Sequence, residues 1–327
     1  MQCFGCYKQG TEGYCLRCRK KLFDGKRVKH VLSFEAPKAD NLPEYHEKTK
    51  RLSISGVQLK YSLRLEGDAL MLTENKGQYI LKPVPPSNLI VRPDEAPENE
   101  HLTMQIASQV FGIKTAENAL IYFKDGTPAY ITKRFDVKPD GSKYLQEDMA
   151  QISGRTRQMH GENFKYEGTY EEVGKLIKRY VAASLPVLEV FYKTVVFNYL
   201  FSNGDAHLRN FSLIQTEEGD YTLTPAYDLM STVIHTPLEA DAALDLYKGD
   251  MESPFYSSRG FYGRASFEAL GEKIGLLPGR TERILDGLLS NQDRVQQRID
   301  ESFLSDEAKE LYSKNYFEKI KRMTLRG

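Results

Sequence analysis

Asp205 and Asn210 stand five residues apart in the run Asn203-Gly204-Asp205-Ala206-His207-Leu208-Arg209-Asn210, and Asp228 follows eighteen residues later in Pro225-Ala226-Tyr227-Asp228. These are the parts of a phosphoryl-transfer site. Asp205 can take or orient a hydroxyl proton, while the amide oxygen of Asn210 and the carboxylate of Asp228 can share a divalent cation. Hard oxygen donors of this kind suit Mg2+ bridging the phosphates of ATP, because Mg2+ keeps several waters and needs only one or two protein carboxylates. Asn, Gly and Asp are also ordinary turn formers, so a polar surface loop is the competing reading of the same stretch.

The flanking residues supply elements that could hold such a site. Phe211-Ser212-Leu213-Ile214 and Tyr221-Thr222-Leu223-Thr224, joined through Glu217-Glu218-Gly219-Asp220, read as a hairpin with Asn210 and Asp228 at its ends. The apolar stretch from Leu188 to Phe201, interrupted by Glu189, Lys193 and Asn198, has the spacing of a core helix that delivers the loop. Upstream, Leu63-Arg64-Leu65 and Tyr79-Ile80-Leu81-Lys82 predict two strands, with Lys82 at the end of the second, where a lysine can grip nucleotide phosphates. Pro83-Val84-Pro85-Pro86 and Pro93 to Pro97 punctuate a loop. Glu100 then opens a helical stripe of Leu102, Ile106 and Val110 that stops at Gly112. Lys82 and Glu100 are placed to pair, although either alone could be a solvated charge. Ahead of them, Arg51-Leu52-Ser53-Ile54-Ser55-Gly56-Val57-Gln58-Leu59-Lys60 sits where a phosphate-covering loop belongs, with one glycine in place of the glycine-rich pattern. Ser53 and Ser55 could be turn hydroxyls or autophosphorylation sites. A phosphate there would add nearly two negative charges beside those of the nucleotide.

At this point the chain resembles the HipA-like serine/threonine kinases of bacterial toxin–antitoxin systems. The resemblance runs from Leu52 to the low 300s and is carried by Ser-Ile-Ser-Gly-Val-Gln-Leu-Lys at 53–60, Ile-Leu-Lys-Pro at 80–83 and Asn-Glu-His at 99–101. Further along it rests on Thr-Lys-Arg-Phe-Asp at 132–136, Leu-Gln-Glu-Asp at 145–148, the loop containing Asp205 and Pro-Ala-Tyr-Asp-Leu-Met-Ser at 225–231. The resemblance implies a two-lobed α+β protein-kinase-like fold in which Lys82 holds the phosphates, Asp205 is the catalytic base, and Asn210 and Asp228 bind Mg2+. It makes Lys133 and Phe135 backbone contacts to adenine and Asp136 a ribose contact, with Ser55, Gly56, Val57, Glu100, His207 and Arg209 completing the nucleotide-binding set. Full-length members carry a further N-terminal subdomain ahead of the phosphate loop, so this chain is similar to the short form, the HipT kinase of tripartite HipBST systems, which has a paired-serine loop. The resemblance accordingly implies a separate small protein equivalent to that subdomain, a helix-turn-helix antitoxin, contact with DNA only through the antitoxin, and an aminoacyl-tRNA synthetase as substrate.

A second site precedes the first. Cys3-x2-Cys6-x8-Cys15-x2-Cys18 uses all four cysteines of the protein, and paired C-x-x-C turns are the usual way to present four thiolates to Zn2+. Two disulfides would suit a small secreted domain, whereas a chain of 327 residues without a secretory signal is expected in a reducing cytoplasm. Four thiolates leave no open coordination position, so the expected role is structural. The basic residues Arg17, Arg19, Lys20, Lys21, Lys26, Arg27 and Lys29 could face a nucleic acid or an acidic partner, or form a solvated face. With 45 basic and 45 acidic residues, no global field favours polyanions.

No apolar run approaches the roughly 20 residues that span a bilayer, so no membrane partner is expected. Three parts are expected: a zinc knuckle and linker over 1–48, an N-lobe over 49–145, and a mostly helical C-lobe over 146–327. Within the C-lobe, 154–168 reads as a mobile polar excursion and 236–263 as a loop-rich platform or lid. Phe267–Ile274, Arg280–Arg298 and Ser305–Arg322 read as terminal helices. The leading function is ATP-dependent transfer to a protein serine or threonine. The alternatives are a small-molecule phosphotransferase of the aminoglycoside type, which has a similar Asp-x4-Asn loop, and a nucleotide-binding scaffold without catalysis.

Overall fold

The computed structural model describes residues 1–38, 59–85 and 90–325. The expected boundary between knuckle and N-lobe, and the loop residues Ser53, Ser55, Gly56 and Val57, lie outside the described residues. After a short helix α1 (Leu16–Phe23), the N-lobe is a five-stranded antiparallel sheet built from β1 (Tyr61–Glu66), β2 (Ala69–Leu72), β3 (Tyr79–Pro83), β4 (Asn118–Tyr122) and β5 (Pro128–Lys133) in the order β2-β1-β3-β5-β4. A helix α2 (Ala96–Gln109) enters between β3 and β4.

Helix α2 begins four residues before Glu100, inside the stretch that the sequence predicts as a proline-rich loop. Proline at the start of a helix costs nothing, because the amide it lacks has no intrahelical partner there. Pro97 occupies that position, and every residue from Ala96 to Ala107 is buried. Burial on all sides explains why its apolar stripe is a poor guide to its extent. The helix packs on β4 and β5, where His101 Nδ1 and Gln105 Nε2 each meet Asn118 Oδ1 at 3.0 Å, and its other polar side chains reach the opposite lobe. Asn99 Nδ2 donates to Ser231 O at 2.9 Å, Ser231 N donates back to Asn99 Oδ1 at 3.1 Å, and Thr103 Oγ1 meets Tyr312 Oη at 2.9 Å. Arg294 donates to the carbonyls of Gln109 (2.8 Å) and Val110 (3.3 Å), placing a cation at the helix C-terminus, where unpaired carbonyls favour it.

Strand alternation divides the sheet between two cores. Tyr130 faces α2 and the C-lobe, whereas Ala119, Ile121, Ala129 and Ile131 face Cys3, Tyr14, Cys18, Leu22 and Phe23. The first 38 residues therefore close the second face of the sheet and share its core. Tyr14 Oη donates to Leu120 O (2.8 Å) and Tyr79 Oη to Leu22 O (2.7 Å). Leu32 N to Tyr122 O and Tyr122 N to His30 O, both 2.8 Å, cover the outer edge of β4. The same segment reaches the C-lobe, where Phe4 and Tyr7 contact Phe303 at ring distances of 5.2 and 5.7 Å.

The C-lobe starts with β6 (Gln146–Asp148), α3 (Met149–Ile152) and α4 (Arg157–His160), followed by α5 (Tyr170–Tyr180) and the central α6 (Ser184–Leu200). Strands β7 (Ser212–Gln215) and β8 (Tyr221–Leu223) form the expected hairpin, and β6 pairs with β7 to make a second sheet. The chain ends with α7 (Pro254–Arg259), α8 (Arg264–Lys273), α9 (Pro278–Leu289), α10 (Gln292–Asp300) and α11 (Asp306–Thr324). The single helix expected over 280–298 is two, broken at Ser290 and Asn291, and the break aims Arg294 at the end of α2. The stretch 154–168 holds α4 and a 3-10 turn, Phe164–Tyr166.

Glu98 of α2 is buried beside Tyr7 and Tyr122, with Oε2 lacking a hydrogen-bond partner among the described residues. Burial pushes its carboxyl up to about 7, with Glu95 and Asp94 adding to the effect. A raised folded-state value favours folding at low pH and loses that favour as pH climbs through it. We expect Glu98→Gln to melt like the wild type near pH 4 and to become the more stable protein above pH 7, by about 3 kcal/mol at most. Parallel melting curves at all pH values would refute this.

Candidate active site

The site is organised around a lysine removed from water. Lys82, on β3, is 3% exposed and donates to Glu100 Oε1 of α2 at 2.5 Å and also to Asp228 Oδ1. Lys60 donates to the other oxygen, Asp228 Oδ2, at 3.1 Å. Burial alone would strip Lys82 of its proton, but Asp228 and Glu100 together hold its pKa above the usual lysine value. Burial likewise pushes Asp228 up, and Lys60 and Lys82 outweigh it, keeping the carboxylate ionised well below the ordinary range. Asp228 itself has φ of 54°, a left-handed conformation that aspartate tolerates better than most residues.

The loop bearing Asp205 follows α6 and is fixed by its backbone. Asn203 N donates to Asn198 O at 2.8 Å, Gly204 N to Thr232 Oγ1 at 2.9 Å, and Tyr170 Oη to Ala206 O at 2.9 Å. A Cβ on Gly204 would lie 2.4 Å from Ala240 O, so only glycine fits. Asp205 keeps a partly exposed carboxylate, with His207 Nε2 3.8 Å from Oδ1. Burial lowers His207 to about 4, so it is neutral at physiological pH, and neither ring nitrogen has a hydrogen-bond partner among the described residues. Leu208–Asn210 form a 3-10 turn that carries Asn210 into the interior. Arg209 is turned aside to Asp148 at 3.0 Å, and Asp148 caps α3 in a capping box with Gln151. Tyr227 Oη donates to Arg209 O (2.8 Å), tying this turn to Asp228, while its ring lies 5.8 Å from that of Phe135.

These groups meet in a cleft of about 590 Å³ between the lobes, a volume typical of small-molecule sites. It brings together Lys82, Glu100, Lys133, Phe135, Asp136, Asp205, His207, Arg209, Asn210 and Asp228, all the expected site residues of the two lobes that are described. The expected contacts of the 132–136 segment are partly committed elsewhere. Lys133 N donates to Glu117 O (2.8 Å), its ammonium meets Asp24 (2.6 Å), and Arg134 grips both oxygens of Asp136. The fit to a divalent cation is better defined: Asn210 Oδ1 is buried, has no partner among the described residues and lines the same cleft as the Asp228 carboxylate. A hard cation would satisfy that oxygen.

Sequence reasoning left out Lys60, Asp148, Lys165 and Tyr166 as site residues. Lys60 closes the expected phosphate loop, a position that could have marked it. Tyr166 donates to Asp205 Oδ1, and no local pattern signals that contact.

A buried strand lysine paired with a helix glutamate, across a cleft from an Asp-x4-Asn loop, defines a mixed α/β kinase-like fold. Residues 52–299 match the model of the HipA-like C-terminal domain, and the chain belongs to that family. It is similar to a Haemophilus influenzae protein named as a kinase, with 26% identity over 97% of this chain and 94% of that one. It is also 26% identical to the serine/threonine-protein kinase toxin HipA of Shewanella oneidensis over 76% of this chain and 56% of the toxin. Among solved structures, the Shewanella oneidensis HipA, HipB and operator DNA complex shares the fold at a TM-score of 0.63, with 20% identity over 88% of this chain and 71% of that one. The Helicobacter pylori proinflammatory kinase CtkA shares it at a TM-score of 0.51, with 14% identity over 84% and 95%.

Removing one member of a buried ion pair leaves the other uncompensated, at a typical cost of 3–5 kcal/mol, while removing both restores much of it. Because Asp228 also holds Lys82, we expect Glu100→Gln to cost about 2 kcal/mol by denaturant unfolding. We expect Lys82→Met with Glu100→Gln to cost less than the two single changes added together. Strict additivity would show that the pair is not coupled.

Proposed function

We propose that this chain is an ATP-dependent serine/threonine protein kinase acting as the toxin of a toxin–antitoxin system. The observation that carries the chemistry is the convergence, in one cleft, of buried Lys82, the partly exposed carboxylate of Asp205, Asp228, and the Asn210 oxygen, which has no partner among the described residues. Lys82 is held charged where it can meet the nucleotide phosphates, with Glu100 fixing its direction. Asp205 accepts the proton of the acceptor hydroxyl as that oxygen bonds to the γ-phosphorus and the bond to ADP breaks. Mg2+ would be held by Asn210 and Asp228 and, when bound, neutralises phosphate charge. Phe135 and Asp136 line the cleft wall where adenosine would sit.

The toxin role is supported by the family and by the Shewanella HipA relative, whose structure contains HipB and operator DNA. By that resemblance, a helix-turn-helix antitoxin is the partner and DNA is met through it, in the cytoplasm. An aminoacyl-tRNA synthetase as substrate rests on the family resemblance. The short form with a separate small subdomain protein, and autophosphorylation on Ser53 and Ser55, rest on the paired-serine loop. For the cysteines we propose a structural Zn2+ held by Cys3, Cys6, Cys15 and Cys18. Their four sulfurs lie within 4.8 Å of one another, and the 3.7 Å between Cys6 and Cys15 Sγ is close to the roughly 3.8 Å edge of a tetrahedral zinc–thiolate site. The amides of Gly5 (3.4 Å) and Cys15 (3.2 Å) donate to Cys3 Sγ, as a thiolate would require.

Labelled ATP tests the chemistry. Asp205→Gln should keep Mg–ATP binding and lose at least about a hundredfold in phosphotransfer, whereas Asp228→Asn should weaken nucleotide binding itself. Normal turnover by Asp205→Gln would remove the assignment of the base. Mass spectrometry of active protein should find phosphate on Ser53 or Ser55, absent from Asp205→Gln; a clean loop in active protein would defeat the self-modification reading. Elemental analysis should give one zinc per chain. Because residues 1–38 share a core with the sheet, stripping the metal should lower the melting temperature of the N-lobe and weaken ATP binding together. A metal-free native protein, or chelation without effect on the lobe, would count against the site.

A further inference from the structure

The proposed reaction leaves one contact at Asp205 unexplained. Tyr166 Oη donates to Asp205 Oδ1, the oxygen from which the proposed base would act on an acceptor hydroxyl. The Tyr166 side chain is exposed beside the cleft, its ring edge-on to that of His207 at 5.2 Å, and His207 is itself buried and neutral. Beside it, Lys165 lines the cleft and lies 4.8 Å over the Tyr166 ring, so the two side chains would move as one unit.

The tyrosine arrives on a segment held to the body chiefly by Phe164, which packs against the main core. Residues 156–167 form hydrogen bonds chiefly within themselves, through Arg157 to Glu162, Met159 N to Thr156 and Tyr166 N to Asn163. Among the described residues, the contact from Tyr166 to Asp205 is the one hydrogen bond leading from this segment to the body of the protein. The segment runs between Gly154 and Gly168, both at positive φ (72° and 127°), and beyond it the chain is firmly fixed by the capping box of α5 and by Arg155 to Glu172 at 2.8 Å. It is a lip anchored at both ends and latched at its tip onto Asp205.

We propose that Tyr166 determines access for the acceptor: its hydroxyl occupies the place that an incoming serine or threonine hydroxyl takes at Asp205, and phosphorylation requires the acceptor to displace the 156–167 lip. This inference rests on Asp205 being the base of a kinase. An internal ligand at the acceptor position lowers the fraction of molecules competent to bind an outside one, and the apparent affinity for the acceptor falls by that fraction. The phenol ring is too large for the acceptor to share the place, so recognition favours protein segments that bring enough contacts of their own to push the lip aside.

The test uses the full chain, wild type and Tyr166→Phe, with Mg–ATP and dephosphorylated casein as a general serine/threonine acceptor. Loss of one charge-assisted hydrogen bond should lower the KM for casein about tenfold, with kcat and the KM for ATP little changed. Slow hydrolysis of ATP by water, the smallest acceptor, should rise by a similar factor. A fall in kcat at constant KM would make Tyr166 a positioning residue for Asp205 and overturn the proposal, as would identical kinetics in the two proteins or phosphate found on Tyr166 itself. If the wild type binds ATP but labels neither casein nor itself and releases no phosphate, the kinase reading fails and this inference falls with it. A wild type active in any of these assays confines a negative result to the lip.

Discussion

Everything in the cleft depends on keeping one ammonium charged in a dry interior. Lys82 survives burial because Glu100 and Asp228 reach it from different directions, one from the helix beneath the sheet and one from the opposite lobe. Three ionised groups in low dielectric form an arrangement that is favourable only when every member is present. The fold is therefore obliged to hold β3, α2 and the strand end before Asp228 in fixed register. Lys60 adds a second cation on the far oxygen of Asp228, so the carboxylate is fully engaged by ammonium groups in this state. Nucleotide phosphates arriving with a metal would compete for both lysines, exchanging protein ion pairs for ligand ones without leaving a charge bare.

The four-cysteine segment belongs to the same argument. A sheet with one face under α2 has another to cover, and residues 1–38 cover it with Tyr14, Leu22 and Phe23 while sealing the edge of β4. The segment is thus part of the N-lobe core, and it extends to Phe303 of the C-lobe through Phe4 and Tyr7. A small sheet gains most from such a covering, because it has little apolar surface of its own to bury.

Much of this was legible in the sequence for identifiable reasons. Lys82, Asp205, Asn210 and Asp228 were readable because their chemistry requires particular residue types at particular separations, and the hairpin between Asn210 and Asp228 because strand alternation and a Glu-Gly-Asp turn are local signals. The start of α2 was obscured because proline punctuates loops and opens helices alike. The break between α9 and α10 was hidden because its cause is distant: Arg294 is turned to meet carbonyls on another helix. Tyr166 could not be found at all. A tyrosine in a polar stretch has no periodicity to betray that thirty-nine residues later it meets a carboxylate.

The way α2 is fastened bears on how the cleft can move. The helix lies against the N-lobe sheet, but Asn99, Thr103 and its C-terminal carbonyls are bound by Ser231, Tyr312 and Arg294, all residues of the C-lobe. If the lobes separate to let nucleotide in or out, α2 cannot follow both, because His101 and Gln105 hold it to Asn118 of the sheet while Asn99, Thr103 and its end hold it to the C-lobe. Motion would then break one of two sets of buried hydrogen bonds. The cleft should consequently favour two discrete positions over a continuum.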